Sequence, residues 1–254
     1  MHEHELAFAH EIADRAAEIG LSVFGGDVRV TMKSDRTPVT QADTDIEAMV
    51  RERVAAADPD DRVLGEEEGG DASGAGRVWI VDPIDGTANF ARGIPIWATL
   101  IALQIDGELV LGVASAPALG ERYEGVRGGG ARCNGRPIRV SDVADVSEAQ
   151  LLFAGIGPWI REPRHEGVLG AMADARRTRG FGDFWGHTLV ARGAAEATIE
   201  AGLSLWDYAA LAVIVEEAGG RVTTLDGQPL HPGGSVLSSN GAIHDELVRR
   251  FTRG

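Results

Sequence analysis

The segment Asp82-Pro83-Ile84-Asp85-Gly86-Thr87 directly follows Val78-Trp79-Ile80-Val81, an apolar run of the kind that forms a buried strand. The pattern predicts a strand over 78–82 that stops at Asp82-Pro83. Two carboxylates three positions apart at the end of such a strand are expensive, because a buried, unpaired charge costs several kcal/mol, to order of magnitude. A cation is their natural companion. Gly86 and Thr87 then open a short helix, whose free backbone N–H groups suit an anion such as phosphate. Carboxylates for a metal ion beside amides for a phosphate are what metal-assisted phosphoryl transfer requires. Taken alone, the same residues also fit a plain strand-turn-helix with one aspartate as N-cap, so the other acidic segments have to decide.

Three further acids stand at comparable places. Glu66, in Gly65-Glu66-Glu67-Glu68-Gly69, follows a strand ending at Leu64, where a solvated glutamate loop is the plainer reading. Asp43 opens a helix after Lys33-Ser34-Asp35-Arg36-Thr37-Pro38-Val39-Thr40-Gln41-Ala42, and by itself would be read as a cap. Asp207 interrupts an apolar helical run, Leu205-Trp206-Asp207-Tyr208-Ala209-Ala210, that continues to Gly219-Gly220. A carboxylate in that setting needs a partner.

Helical spacing runs through 3–24 and 42–57, and a hairpin is expected over 28–40. Turn signals at Asp106-Gly107, Gly120 and Asn134-Gly135 divide the middle of the chain into antiparallel strands. From about Asp142 helices and strands alternate, with a helix expected from Thr188 to Gly193 and a final strand and helix at 235–239 and 244–251. Two packed lobes, 1–141 and 142–254, are expected; the first would bind metal and phosphate and the second complete the site. With 44% hydrophobic and 25% charged residues, the chain has the balance of a soluble globular protein. A net charge of −15 argues against a nucleic-acid partner, since phosphate backbones are held by Lys and Arg. Cys133 is the only cysteine, the longest apolar stretch (97–103) is too short for a bilayer, and no signal peptide is expected from the acidic N-terminus. A cytoplasmic setting with no membrane partner is expected. His2, His4 and His10 read as part of a frayed, solvated terminus.

These motifs resemble the inositol-monophosphatase superfamily, whose signatures are an Asp-Pro-Ile-Asp-Gly-Thr strand end and a Trp-Asp helix followed by Glu-Ala-Gly-Gly. Here they stand at 82–87, at Trp206-Asp207 and at Glu217-Ala218-Gly219-Gly220. Gly-Glu-Glu at 65–67 and Thr-Pro-Val-Thr-x-Ala-Asp at 37–43 match in the same order. The resemblance implies an α+β protein with the inositol-monophosphatase (sugar phosphatase) fold, a layered αβαβα sandwich. It implies a Mg²⁺-dependent phosphatase acting on a small-molecule phosphate monoester, and a homodimer. Glu66, Asp82 and the carbonyl of Ile84 would hold one Mg²⁺; Asp82, Asp85 and Asp207 would hold a second, with a weaker third ion near Glu66. Mg²⁺ also fits on chemical grounds, because every donor is a hard oxygen. By the same resemblance Thr87, oriented by Asp43, positions the attacking water and Glu66 helps take its proton. Gly86 and Thr87 supply backbone donors to the phosphate. Lys33 matches an accessory lysine near a mobile hairpin, and reads equally as a surface lysine.

For the substrate, Gly182-Asp183 stands where inositol-specific members usually have Gly-Ser-Ala. A carboxylate there favours a cationic substrate, and histidinol phosphate carries an ammonium and an imidazole. Glu200, with Asp207, matches a substrate-contacting carboxylate of the family. The segments Phe181-Gly182-Asp183-Phe184 and 96–103 look most like the histidinol-phosphate phosphatases of the superfamily, which implies hydrolysis of L-histidinol phosphate to L-histidinol and phosphate, a step of histidine biosynthesis. Inositol 1-phosphate, or a nucleotide or sugar bisphosphate, is the alternative; Arg176-Arg177-Arg179 reads as a second-phosphate site or as surface charge. Asp183 also suits a helix cap; His187 could stack on or hydrogen-bond the substrate, though an exposed histidine at a helix start is the plainer reading; and Phe184 and Trp185 suit core positions rather than a substrate platform.

Overall fold

The computed structural model describes residues 2–26, 30–32, 38–161 and 165–252. Apolar residues at helical spacing give α1 (Glu3–Val23) one enclosed face, with Ala9, Ile12, Ala13 and Ala16 buried. His4 and His10 therefore stand on a formed helix rather than on a frayed terminus, and His10 Nε2 lies 2.7 Å from Glu124 Oε2. β1 (Val30–Met32) pairs antiparallel with β2 (Pro38–Thr40); residues 33–37, Lys33 included, lie outside the described residues. α2 (Gln41–Ala57) begins where the Asp43 carboxylate accepts the Thr40 N–H at 2.8 Å.

β3 (Arg62–Gly65) runs parallel to β4 (Arg77–Asp85), which leads into the short α3 (Thr87–Phe90). β5 (Ala98–Ile105), β6 (Glu108–Ala116), β7 (Glu121–Val126), β8 (Gly130–Cys133) and β9 (Arg136–Ile138) extend this as an antiparallel meander. The result is a seven-stranded sheet in the order β3-β4-β5-β6-β7-β8-β9. β4 does not stop at Asp82-Pro83. The ladder skips there, with Asp82 opposite Leu100 and Asp85 opposite Ala98. Pro83, which has no N–H to give, is absorbed in a bulge, and the strand continues to Asp85.

The remainder comprises β10 (Gln150–Phe153), α4 (Ile156–Arg161), α5 (His165–Asp174), β11 (Arg177–Arg179), α6 (Asp183–Ala191) and β12 (Ala197–Leu203). α7 (Leu205–Glu217), β13 (Arg221–Thr223), β14 (Gly234–Ser239) and α8 (His244–Phe251) follow. The five strands form a second sheet in the order β11-β10-β12-β14-β13. α6 starts at Asp183, five residues before the helix expected from Thr188, so His187 is a buried helix-interior residue and not an exposed helix-start one. No described helix is long and apolar enough to cross a membrane.

Successive side chains of β4 point to opposite faces, and the cores divide accordingly. Trp79 and Val81 join Ile12 and Ala16 of α1 and Ile46 and Val50 of α2. Val78 and Ile80 join Phe184 and Leu189 of α6 and Ala209, Ala210 and Ile214 of α7, and this core reaches Val236 of the second sheet. On that sheet's far side, Leu151, Ile199 and Leu237 pack with Val168 of α5 and Leu247 and Phe251 of α8. The layers are thus helix, sheet, helix, sheet, helix, an α+β sandwich.

α7 is buried on nearly every side from Tyr208 to Val215 because it lies between the sheets. Two glycines let it approach the sheet backbone. A Cβ on Gly112 would lie 2.2 Å from the Ala210 carbonyl oxygen, and one on Gly125 would lie 2.8 Å from Ile214 Cα. Overpacking of this kind costs about 1–3 kcal/mol. Gly112→Ala is expected to lower stability to urea by that amount. Gly170→Ala, at an exposed position of α5 with open space around it, is expected to be neutral or slightly stabilising.

Candidate active site

The β4 bulge delivers Asp82 and Asp85, 2% and 9% exposed, to a cavity of about 250 Å³. Glu66, from the turn after β3, lines the same cavity together with Ile84, Gly86 and Thr87. From the other side come Asp183 and His187 of α6, Glu200 of β12 and Asp207 of α7. Gly86 has φ +82°, and a Cβ there would lie 2.9 Å from the Ile96 carbonyl oxygen, so both backbone shape and space require glycine. The Thr87 hydroxyl lies 2.9 Å from the Ile84 carbonyl oxygen and 3.3 Å from Asp43 Oδ1. Asp207 sits in the first turn of α7, where its Oδ2 accepts the Ser204 N–H at 2.6 Å.

Crowded carboxylates dominate the electrostatics. Burial pushes Asp82 well above the usual carboxylate range, and the charges of Glu66, Asp85 and Asp207 push in the same direction. Asp85 is likewise held well up, first by burial and then by Asp183, against the opposing hydrogen bond from the Phe184 N–H at 2.7 Å. Glu200 is raised well above its ordinary value by burial, then by Asp183 and Asp207. Burial also raises Asp43 and Asp183. Among the described residues no three acidic, histidine or cysteine side chains already stand together as a metal-ligand group. The donors nevertheless suit a hard divalent cation, since all are oxygens and Asp82 Oδ1 is buried without a hydrogen-bond partner.

Several residues that matter here carried no motif. Glu47 lies one helical turn beyond Asp43 on α2 and is fully buried. Its carboxylate accepts the backbone N–H groups of Glu67 and Glu68, at 2.6 and 2.9 Å, and pairs with Arg51 Nη2 at 2.6 Å. Gly65 leaves it room, because a Cβ there would lie 2.2 Å from Glu47 Cδ. Glu47 thereby shapes the turn that presents Glu66. The available signal was a charged residue at an otherwise buried helical position with Arg51 four residues on. Asn89 is the second such residue: its Nδ2 donates to Asp183 Oδ2 and to the Ile96 carbonyl, each at 3.0 Å. Asp183 adopts φ +55°, a left-handed conformation that aspartate tolerates better than most residues. Phe184 is core, whereas Trp185 packs against Phe181 with ring centroids 4.7 Å apart. Arg176, Arg177 and Arg179 are exposed and do not line the cavity.

A larger depression of about 370 Å³, lined by His10, Ser115, Arg122 and Glu124 among others, carries charges that are already paired. His10 meets Glu124 at 2.7 Å, and Arg122 meets Asp14 at 2.7 Å. Among the described residues of the acidic cavity, Asp82, His187 and Glu200 each carry a buried polar atom without a hydrogen-bond partner.

Glu47→Gln removes the charge opposite Arg51 and one of the acceptors for the turn's N–H groups. A loss of about 1–3 kcal/mol in stability to urea is expected, against less than about 0.5 kcal/mol for Glu18→Gln on the exposed face of α1.

The sequence profile of the inositol monophosphatase family matches residues 1–253. The histidinol-phosphatase of Mycobacterium tuberculosis is 46% identical over 260 residues, covering 100% of both chains. That of Streptomyces coelicolor is 42% identical, covering 96% of this chain and 95% of its own. Among solved structures, the IMPase of Thermotoga maritima superposes with a TM-score of 0.88 at 30% identity, covering 98% of this chain and 96% of its own.

Proposed function

The chain belongs to the inositol monophosphatase family, and we propose that it is a Mg²⁺-dependent phosphatase that hydrolyses L-histidinol phosphate to L-histidinol and phosphate. The observation that carries the substrate is the pair Asp183 and Glu200, carboxylates that line the cavity in addition to those of the strand-end motif. A neutral polyol gives such groups no opposite charge; an ammonium or an imidazolium does. The full-length likeness to two histidinol-phosphatases supports the same reading.

Glu66, Asp82 and the Ile84 carbonyl would hold one Mg²⁺, and Asp82, Asp85 and Asp207 a second. Bound Mg²⁺ would neutralise phosphoryl oxygens and make an attacking water more acidic. The chain's own groups do the remainder. The Thr87 hydroxyl, fixed between Asp43 and the Ile84 carbonyl, orients the water, and Glu66 accepts its proton. The backbone N–H groups of Gly86 and Thr87 bind the phosphate. Asp183 and Glu200 hold the cationic end so that the scissile P–O bond lies in line with the water. A homodimer, a cytoplasmic setting and a division near residue 141 into a metal- and phosphate-binding lobe and a completing lobe belong to the same reading.

Purified protein is expected to release phosphate from histidinol phosphate at least about tenfold faster than from inositol 1-phosphate, a difference of about 1.4 kcal/mol in transition-state binding. Release should cease in EDTA. Asp183→Ser should slow the cationic substrate more than the neutral one. Equal or reversed rates for the parent protein would transfer the assignment to the inositol-phosphate reading.

The raised carboxylates also set a pH dependence. Asp82, Asp85 and Glu200 hold protons more tightly in the folded than in the unfolded chain. Their contribution to stability is therefore complete below the ordinary carboxylate pKa of about 4 and is lost as pH rises through the higher folded values. Mg²⁺ competes with those protons. The rise in melting temperature on adding Mg²⁺ should thus be larger at about pH 8 than at about pH 5, as thermal unfolding with Mg²⁺ and with EDTA will show.

A further inference from the structure

We infer that His187 is a specificity-determining residue: with Glu200 it forms a two-acceptor seat for an N–H group at the cationic end of the substrate. The inference rests on the reading of the substrate given above and adds a residue to it. His187 and Glu200 are 1% and 5% exposed, and both line the acidic cavity. Two of their atoms face each other there unmet. His187 Nε2 and Glu200 Oε1 are buried without a hydrogen-bond partner, and they stand 3.7 Å apart. That separation is too long for a hydrogen bond between them.

The rest of each side chain is fixed. His187 Nδ1 lies 2.7 Å from the Ser238 hydroxyl of β14, which is itself buried. The Asp183 backbone N–H holds the Glu200 carboxylate. α6 is pressed against β12 at Gly186, where a Cβ would lie 2.7 Å from Thr198 Oγ1, so the ring is held firmly. Burial keeps His187 neutral, its pKa pushed down to about 4, and a neutral imidazole has one N–H and one lone pair. On this inference the N–H sits at Nδ1 and is given to Ser238, which leaves the Nε2 lone pair beside the Glu200 oxygen. With Glu200 ionised, two acceptors without a donor are a costly pair to bury. A ligand N–H placed between them satisfies both, while a substrate lacking a donor there leaves both unpaired. A site of that kind discriminates more sharply than apolar contact does.

The test compares KM and kcat for histidinol phosphate and for inositol 1-phosphate in the parent, His187→Leu, His187→Gln and Ser238→Ala proteins, all with Mg²⁺. His187→Leu should raise KM for histidinol phosphate about 10- to 100-fold with a much smaller change in kcat, and inositol 1-phosphate, whose hydroxyls can donate but bring no positive charge to Glu200, should lose less. His187→Gln, which returns a carbonyl oxygen near the Nε2 position, should recover part of the loss, and Ser238→Ala should show a weaker form of it. Nitrogen-15 NMR of the histidine ring in the parent protein should show the proton on Nδ1. An unchanged substrate ratio in His187→Leu, equal losses for both substrates, or a proton on Nε2 would each overturn the inference. A parent protein with no preference for histidinol phosphate would instead overturn the reading on which it rests. If His187→Leu fails to fold, the Gln variant and the NMR measurement decide.

Discussion

Like charges gathered at the end of a buried strand are the constraint to which the rest of the molecule answers. Asp82 and Asp85 leave the bulge of β4 into a cavity that Glu66, Asp183, Glu200 and Asp207 also line. Burial first, and then the charges of neighbouring carboxylates, raises the proton affinities of Asp82, Asp85 and Glu200. The scaffold must hold the group together against repulsion. It does so with neutral donors and tight backbone contacts. The Phe184 N–H binds Asp85, Thr99 Oγ1 binds the Pro83 carbonyl at 2.8 Å, and Thr40 and Ser204 give backbone N–H groups to Asp43 and Asp207.

The five layers are what bring these groups to one place. β4 contributes from the seven-stranded sheet, β12 from the five-stranded one, and α6 and α7 lie between. α7 can reach the first sheet closely enough only because Gly112 and Gly125 present no side chain beneath Ala210 and Ile214. On the outer face, α2 reaches back through Glu47 to hold the turn carrying Glu66. The precision of the site thus depends on interior packing of elements far apart in sequence, and less on the loops at its rim.

Much of this was legible in advance, and the reasons differ by element. Helical spacing located α1 and α2, whose buried positions recur along one face, and turn signals alone divided the meander from β5 to β9, since β5 is buried at nearly every position. Where a local rule had an exception, the sequence misled. Pro83 reads as a strand end, yet a bulge accommodates it and β4 runs on to Asp85. Gly182-Asp183 reads as leading to a helix from Thr188, with Asp183 at most its cap, yet a left-handed aspartate already begins α6 and carries His187 into the interior. The hydrogen bond between Asn89 and Asp183 spans 94 residues of chain, and no spacing rule foreshadows it.

By itself the sequence determined residue chemistry: oxygen donors at strand and helix ends, one thiol, a net acidic chain, and motifs ordered as in one phosphatase family. These are properties of composition and of short range, set by neighbours along the chain. Only the tertiary structure decided which carboxylates share a cavity, that Glu47 braces a turn from behind, and that His187 faces Glu200 across 3.7 Å. Charge interaction and desolvation depend on distance through space and on what excludes water, and neither is known until the layers have closed.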